Sequence, residues 1–291
     1  MLAVSCSSLQ SHPFNRLPFI DKEFDMRSLR TIGAVLSLCL LCLCSVPAFA
    51  GVEAKAVEWR QGKQRFSGFI VYNDEFATKR PGLLMVPDWK GVTPAAVEKA
   101  KQVAAAGYVV LVVDMYGKGI RPKDDKAALA QVTKMYQDLP GLRARAAAAL
   151  ATLRAQAASA PIDTARIGAF GYCFGGKTVL ELARSGADIA GVVSYHGGLD
   201  TTLPAKSGAL KASVLVLNGA DDTYVPAAQI QGFESEMKAA GADWQFVNFS
   251  GAVHCFALES ANSPPGCVYN ERAAKRAFTM MNQFFHERFG Q

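Results

Sequence analysis

The hydrophobic and polar positions between residues 54 and 289 follow two different periods. Short apolar runs with almost no polar interruption occur at 82–86, 108–113, 167–172, 189–195 and 212–217. Runs of that length and density are those of strands buried on both faces. Longer Ala-, Leu-, Lys- and Arg-containing stretches lie between or beyond them, at 94–106, 126–136, 142–156, 174–185, 227–240 and 270–289, and these predict helices. Pro94 stands near the start of the first helix and Gly107 just past its end, as helix punctuation requires. A further strand is predicted at 244–249, and 54–60 with 65–72 read as an opening antiparallel pair. Strands alternating with helices predict an α/β fold with a mostly parallel central sheet and helices on both faces. In such a sheet a site forms beyond the C-terminal ends of the strands. Asp88, Tyr116, Cys173, His196 and Asp222 all follow predicted strands closely.

The pattern changes ahead of residue 51. Met26-Arg-Ser-Leu-Arg30 is basic, 32–46 is apolar, and Ala48-Phe-Ala50 has the small-x-small form of a cleavage site. These features predict a secretory signal peptide at 26–50, too short in its apolar part to span a membrane comfortably. Residues 1–25 read as a disordered or non-native extension, and 51–291 as a single domain. The expected location is periplasmic or secreted, with no stable membrane span after cleavage.

Composition supports one sizeable core: 291 residues, 50% of them hydrophobic. The formal net charge of +6 is spread along the chain, which argues against a nucleic-acid partner. No Gly-x-Gly-x-x-Gly follows a strand, and the histidines and cysteines lack metal-ligand spacing, so neither a nucleotide cofactor nor a metal is expected.

Export bears on the cysteines. Of seven (6, 39, 42, 44, 173, 255 and 267), only Cys173, Cys255 and Cys267 lie beyond residue 50. In an oxidising compartment, three thiols suggest one bridge and one free group. Cys255 and Cys267 bracket the turn-rich Ser263-Pro-Pro-Gly266, and they are expected to pair and leave Cys173 free.

Cys173 sits in Gly171-Tyr-Cys-Phe-Gly-Gly176, between a predicted strand and a predicted helix. Gly-x-Cys-x-Gly at such a junction is a nucleophile elbow with sulfur in place of the usual serine oxygen. The glycines admit the sharp turn, and the helix N-terminus favours a thiolate and an oxyanion. A thiol nucleophile needs a base, and the base needs a group to orient it. Beyond residue 50 the histidines are His196, His254 and His286. His254 lies in the loop after the last predicted strand, and Asp222 lies in the turn Asn218-Gly-Ala-Asp-Asp-Thr-Tyr-Val-Pro226. Asp222 is preferred to Asp221 for its spacing from Gly219 and Val225-Pro226. The order Cys173, Asp222, His254 is nucleophile, acid, histidine, as in the α/β-hydrolase fold. An oxyanion hole would take the N–H of Phe174 and, from the loop after the first core strand, that of Trp89. Tyr116, His196 and Tyr224 are pocket candidates by position.

Taken together, Gly171-Tyr-Cys-Phe-Gly-Gly176, Asp88-Trp-Lys-Gly91, Asp114-Met-Tyr-Gly117, Tyr195-His-Gly-Gly198, the Asp222 turn and His254 resemble the dienelactone hydrolase family. The resemblance covers nearly all of 54–289. It implies a Cys-His-Asp hydrolase that opens lactones or small esters through a thioester, without metal or cofactor. The family carries Glu, in contact with the resting cysteine, where this chain has Asp88, so Asp88 is the candidate to modulate the nucleophile. The family also carries an arginine that binds the substrate carboxylate where this chain has Leu258, which points away from an anionic dienelactone. Two other readings remain open: a ligand-binding protein on the same fold, motivated by those two departures, and a thiol-redox protein using Cys173, against which stands the lack of a C-x-x-C motif.

Overall fold

The computed structural model describes residues 51–290. The expected signal peptide at 26–50 and the extension at 1–25 lie outside the described residues. An eight-stranded sheet forms the centre, in the order β1-β2-β4-β3-β5-β6-β7-β8. β1 (Val52–Gln61) and β2 (Gln64–Asn73) form the antiparallel pair, turning at Gly62 with φ of 59°. β2 also pairs antiparallel with β4 (Val109–Val112). From β4 onward every pairing is parallel, through β3 (Arg80–Val86), β5 (Ile162–Tyr172), β6 (Gly191–Tyr195), β7 (Ser213–Gly219) and β8 (Trp244–Phe249). Together with its covering helices this is the α/β-hydrolase architecture.

The period of two along the strands divides the core. Leu84, Leu111, Ala169, Val192 and Val214 pack on one face with α2 (Asp125–Gln137), α3 (Leu139–Ala155), α4 (Phe174–Arg184) and α5 (Ala227–Ala240). Leu83, Val110, Phe170, Val193 and Leu215 pack on the other with α1 (Pro94–Ala105) and α6 (Glu271–Arg288). Alternate residues of a strand point to opposite faces, so a strand covered on both sides must be apolar throughout. The helix starts are chemically marked: Thr93, Asp124, Asp138 and Asn270 each accept a backbone N–H of the first turn.

Helix α4 buries every one of its residues, including Lys177, Glu181 and Arg184. Buried charges need partners. Glu181 receives Arg143 at 2.7 Å and Arg184 at 2.9 Å, and Arg184 also holds Glu236 at 2.8 Å.

Two features differ from the sequence expectation. β5 starts at Ile162 rather than 167, because a register shift between Pro81 and Gly82 carries the pairing with β3 from Asp163 to Ile167, past residues 164–166. A two-stranded ladder, β9 (Asn262–Ser263) with β10 (Cys267–Val268), forms where only a turn-rich segment was expected. Two residues are too few to show any period. Among the described residues no helix is long and apolar enough to cross a membrane.

Candidate active site

β5 lies at the centre of the parallel part of the sheet, and its C-terminal end turns directly into α4. The turn residue is Cys173, with φ of 53° and ψ of −112°. A non-glycine residue in that region is strained by about 1–3 kcal/mol, held only because its surroundings fix it. Here they do so through Cys173 N–H donating to Tyr195 O (3.0 Å) and Lys177 N–H donating to Cys173 O (3.1 Å). The glycines are required by close approach. A Cβ on Gly171 would stand 2.3 Å from the Gly175 backbone, and one on Gly175 would stand 2.0 Å from Val86 O and 2.5 Å from Pro87 O. The helix start therefore packs on the end of β3, from which the Asp88-Trp89 loop leaves. Phe174 is the first residue of α4, so its N–H has no acceptor within the helix.

The sulfur meets a histidine. His254 Nε2 lies 3.1 Å from Cys173 Sγ, and His254 Nδ1 lies 2.8 Å from Asp222 Oδ2. The second oxygen of Asp222 accepts the Tyr224 N–H at 2.8 Å. Gly219 makes this junction possible, since a Cβ there would stand 2.5 Å from Ala252 O and 2.8 Å from Val253 O, in the histidine loop. Asp221 ties the same two loops through its N–H to Ala252 O (3.0 Å), while its side chain is exposed.

Burial alone would lower the pKa of His254. Its hydrogen bonds to Asp222 and Cys173 outweigh that and hold it up at about 10. These partners favour the protonated ring, which can stabilise negative charge beside it and give up a proton.

The histidine loop is closed by a covalent bond. Cys255 and Cys267 are disulfide-bonded with Cα atoms 5.0 Å apart, and Cys173 is the free cysteine among the described residues. Cys267 forms an isolated parallel bridge with His254, and Val268 N–H donates to His254 O at 3.1 Å. Cys255 has φ of 62° and His196 has φ of 40°, so the three non-glycine residues with positive φ among those described all lie around this centre.

A cavity of about 470 Å³ opens over the sulfur. Trp89, Phe174, Tyr224, His254 and both disulfide cysteines line it, as do Leu129, Val132 and Tyr136. Leu129 and Tyr224 are exposed, 58% and 63%, which gives the cavity an apolar lip. Tyr224 also covers one side of His254, with ring centroids 5.0 Å apart.

Three candidates from the sequence take other places. Tyr116 is buried beneath the wall: its hydroxyl donates to Trp89 O at 2.8 Å, and its ring packs 5.6 Å from that of Phe174. His196 is fully buried behind His254, with ring centroids 5.1 Å apart and no hydrogen-bond partner on either ring nitrogen. Burial first, and the neighbouring His254 second, push its pKa well below the ordinary value, which keeps it neutral. Asp88 accepts the Lys90 N–H at 2.8 Å and lines a neighbouring cavity of about 310 Å³ together with Tyr172 and Leu258. Burial raises its pKa.

The sequence reading missed Tyr136, Lys177, Asp200 and Gln229, all in the cavity wall. A signal for Lys177 did exist. It stands one helical turn after Cys173, and Lys177, Glu181 and Arg184 mark one face of a helix that otherwise reads as core. Among the described residues no three His, Cys, Asp or Glu side chains are grouped so as to hold a metal.

The sheet, its crossovers and the strand-to-helix elbow define an α/β hydrolase. The dienelactone hydrolase family model matches residues 66–289, and the chain belongs to that family, hydrolases of esters and lactones. An uncharacterised protein of Caenorhabditis elegans, K02A2.1, is 34% identical over 154 residues, covering 51% of this chain and 94% of its own length. The solved structure of m3DLH superimposes with a TM-score of 0.77 at 32% identity, over 82% of this chain and 99% of that one. P91, a dienelactone hydrolase-like promiscuous phosphotriesterase from metagenomic libraries, gives 0.76 at 32% identity, with the same coverage of both chains.

Proposed function

We propose that the protein hydrolyses carboxylic esters or lactones with Cys173 as nucleophile, His254 as proton carrier and Asp222 as its orienting partner. The observation that carries this reading is the unbroken chain from Sγ through both ring nitrogens to the carboxylate, with contacts of 3.1 and 2.8 Å. In the first step Sγ, its proton held by His254 Nε2, attacks the carbonyl carbon through its lone pair, and the carbonyl π electrons move onto the oxygen. The N–H groups of Phe174 and Trp89 receive that oxyanion. Donors set in advance for developing charge are worth about 3 kcal/mol each. Collapse expels the alcohol, which takes the proton from His254 Nε2 and leaves a thioester on Cys173. Neutral His254 then removes a proton from water, the hydroxide attacks the thioester, and the carboxylic acid and the sulfur are released. In a lactone the expelled alcohol stays attached to the acyl group. No cofactor enters this sequence. Asp222 holds Nδ1 and stabilises the imidazolium throughout. Trp89 and Phe174 shape the acyl site, Tyr224 shields His254, and Tyr116 fixes the Trp89 carbonyl from behind. Asp88 has no direct part in this scheme and acts through the loop that carries Trp89.

The same proposal places the protein in the periplasm or outside the cell, with 26–50 removed on export. The Cys255–Cys267 bond supports that placement, because such bonds persist in oxidising compartments. Sequencing of the mature N-terminus checks it: a start at Gly51 is expected, and an uncleaved chain overturns the export assignment.

The mechanism is tested on short 4-nitrophenyl esters and simple lactones, with an aryl dialkyl phosphate added because P91 is a phosphotriesterase. Cys173→Ala is expected to lower kcat by about 10⁴-fold or more. Intact mass of the wild type, quenched during turnover, should show one acyl adduct on Cys173. Activity that survives the substitution refutes the nucleophile.

A further inference from the structure

We infer that the Lys177–Asp200 pair is a specificity subsite that reads a hydroxyl group on a neutral ester substrate, an inference that rests on the esterase reading above. Lys177 is 5% exposed and lies one helical turn beyond the nucleophile, which puts the two about 6 Å apart along the α4 axis. Its Nζ is 2.8 Å from Asp200 Oδ2 and 4.7 Å from the ring centroid of Tyr136. All three residues line the cavity that holds Cys173 and His254. Gln229 lines it too; its Oε1 accepts the Leu199 N–H at 3.2 Å, which leaves the amide NH₂ as the donor to the cavity.

The elementary charge balance decides what such a subsite takes. A buried ammonium must be paired, and Asp200 already neutralises this one. Asp200 is 59% exposed on its side chain, so a carboxylate approaching Lys177 meets a like charge first. An ammonium on the substrate meets Lys177 in the same way. A hydroxyl meets neither obstacle, because it donates to the free lone pairs of Asp200 and accepts from Lys177 or Gln229. Trp89, Leu129, Val132, Phe174 and Val225 make much of the remaining wall apolar, and this pair, with Gln229 beside it, is the charged group away from the Cys173–His254 centre that offers a substrate hydroxyl both a donor and an acceptor. The pair and Cys173 line the same cavity, so the hydroxyl belongs to a part of the substrate close to the reacting carbonyl. It can belong to the acyl half or to the alcohol half, and the experiment separates them.

The acyl arm compares 4-nitrophenyl 3-hydroxybutyrate, 4-nitrophenyl butyrate and mono-4-nitrophenyl succinate. The alcohol arm compares glycerol 1-butyrate with butyl butyrate by pH-stat. In one arm kcat/KM for the hydroxylated ester is expected to exceed that for its plain partner by about 10-fold, the value of one well-made hydrogen bond to a charged group. The succinate should be the poorest of the acyl series. Asp200→Ala should bring the hydroxyl ratio close to one and raise the succinate-to-butyrate ratio several-fold, because it unmasks Lys177. Asp200→Asn keeps an acceptor without the charge and should retain most of the hydroxyl ratio. A hydroxyl ratio near one in both arms, or one that persists in Asp200→Ala, overturns the inference and leaves the esterase reading standing. Absence of Cys173-dependent turnover of the plain butyrates overturns both.

Discussion

The elbow at 171–176 and the histidine loop at 250–270 meet at one sulfur–nitrogen contact, and they are held there by different forces. The elbow sits mid-sheet, between β3 and β6, and backbone contact confines it: carbonyls of Val86 and Pro87 lie where the Cβ of Gly175 would be. The histidine loop follows β8, an edge strand that is mostly half-exposed. Sheet neighbours cannot confine it from both sides. It is tied instead by a disulfide next to His254, by the bridge to Cys267 and by the Asp222 hydrogen bond. A nucleophile set by sterics tolerates no side chain, whereas a base set by cross-links tolerates change in proportion to the links removed.

The comparison breaks most sharply at Gly175. Gly175→Ala forces a methyl group into the carbonyls of Val86 and Pro87, which are backbone atoms that cannot rotate away. Either α4 lifts from β3, which separates Phe174 from the Trp89 loop, or the chain fails to fold. The expected loss is at the upper end of single-substitution effects, about 4 kcal/mol or more. Chemical denaturation, with kcat measured on any folded fraction, checks it. A variant of wild-type stability and kcat would show that sterics do not hold the elbow.

That difference also explains what the sequence could reveal. The elbow is readable because its logic is local: six consecutive residues carry strand, turn and helix start, and its three glycines are the visible trace of close approaches, Gly171 to Gly175, Gly175 to the end of β3 and Gly176 to β6. The parallel sheet was readable because a strand covered on both faces leaves no polar gap. His254 and Asp222 could be named from their order along the chain, but their meeting depends on β7 and β8 lying side by side, which no local period records. Lys177 falls in a predicted helix and Asp200 outside every predicted element, and the ion pair between them exists only in three dimensions. His196 looked like a pocket residue from its place after β6. Its positive φ turns it behind His254 instead.

The second prediction weakens the histidine side without touching the elbow. Asp222→Asn removes the charge that, with Cys173, holds His254 near 10, while the burial that lowers its pKa remains. A pKa raised from the ordinary value of 6.5 stabilises the folded protein fully below that value, and the contribution is lost as pH rises through about 10. Activity that needs the imidazolium proton for the leaving alcohol falls over the same limb. Asp222→Asn should therefore move the alkaline limb of kcat to lower pH and reduce kcat by about 10³–10⁴-fold. An unchanged limb would show that Asp222 does not set the protonation of His254.

The gentlest test removes the covalent tie and leaves every reacting group in place. Cys255→Ser with Cys267→Ser opens a link between residues 12 apart. Closing a loop of that length is worth about 3 kcal/mol, or roughly 6–12 °C in Tm for a domain of this size. A purely structural link would show only that shift. If the bond also positions the base, kcat at temperatures well below Tm should fall several-fold while KM for a short ester changes little, because His254 spends less time within reach of Sγ. The same double substitution should leave the elbow intact, so alkylation of Cys173 by iodoacetamide should still yield one adduct by intact mass. A lower Tm without loss of kcat would mean that Asp222 and the backbone bridge hold His254 without the disulfide, and the contrast between the two loops would then be one of stability rather than of catalytic geometry.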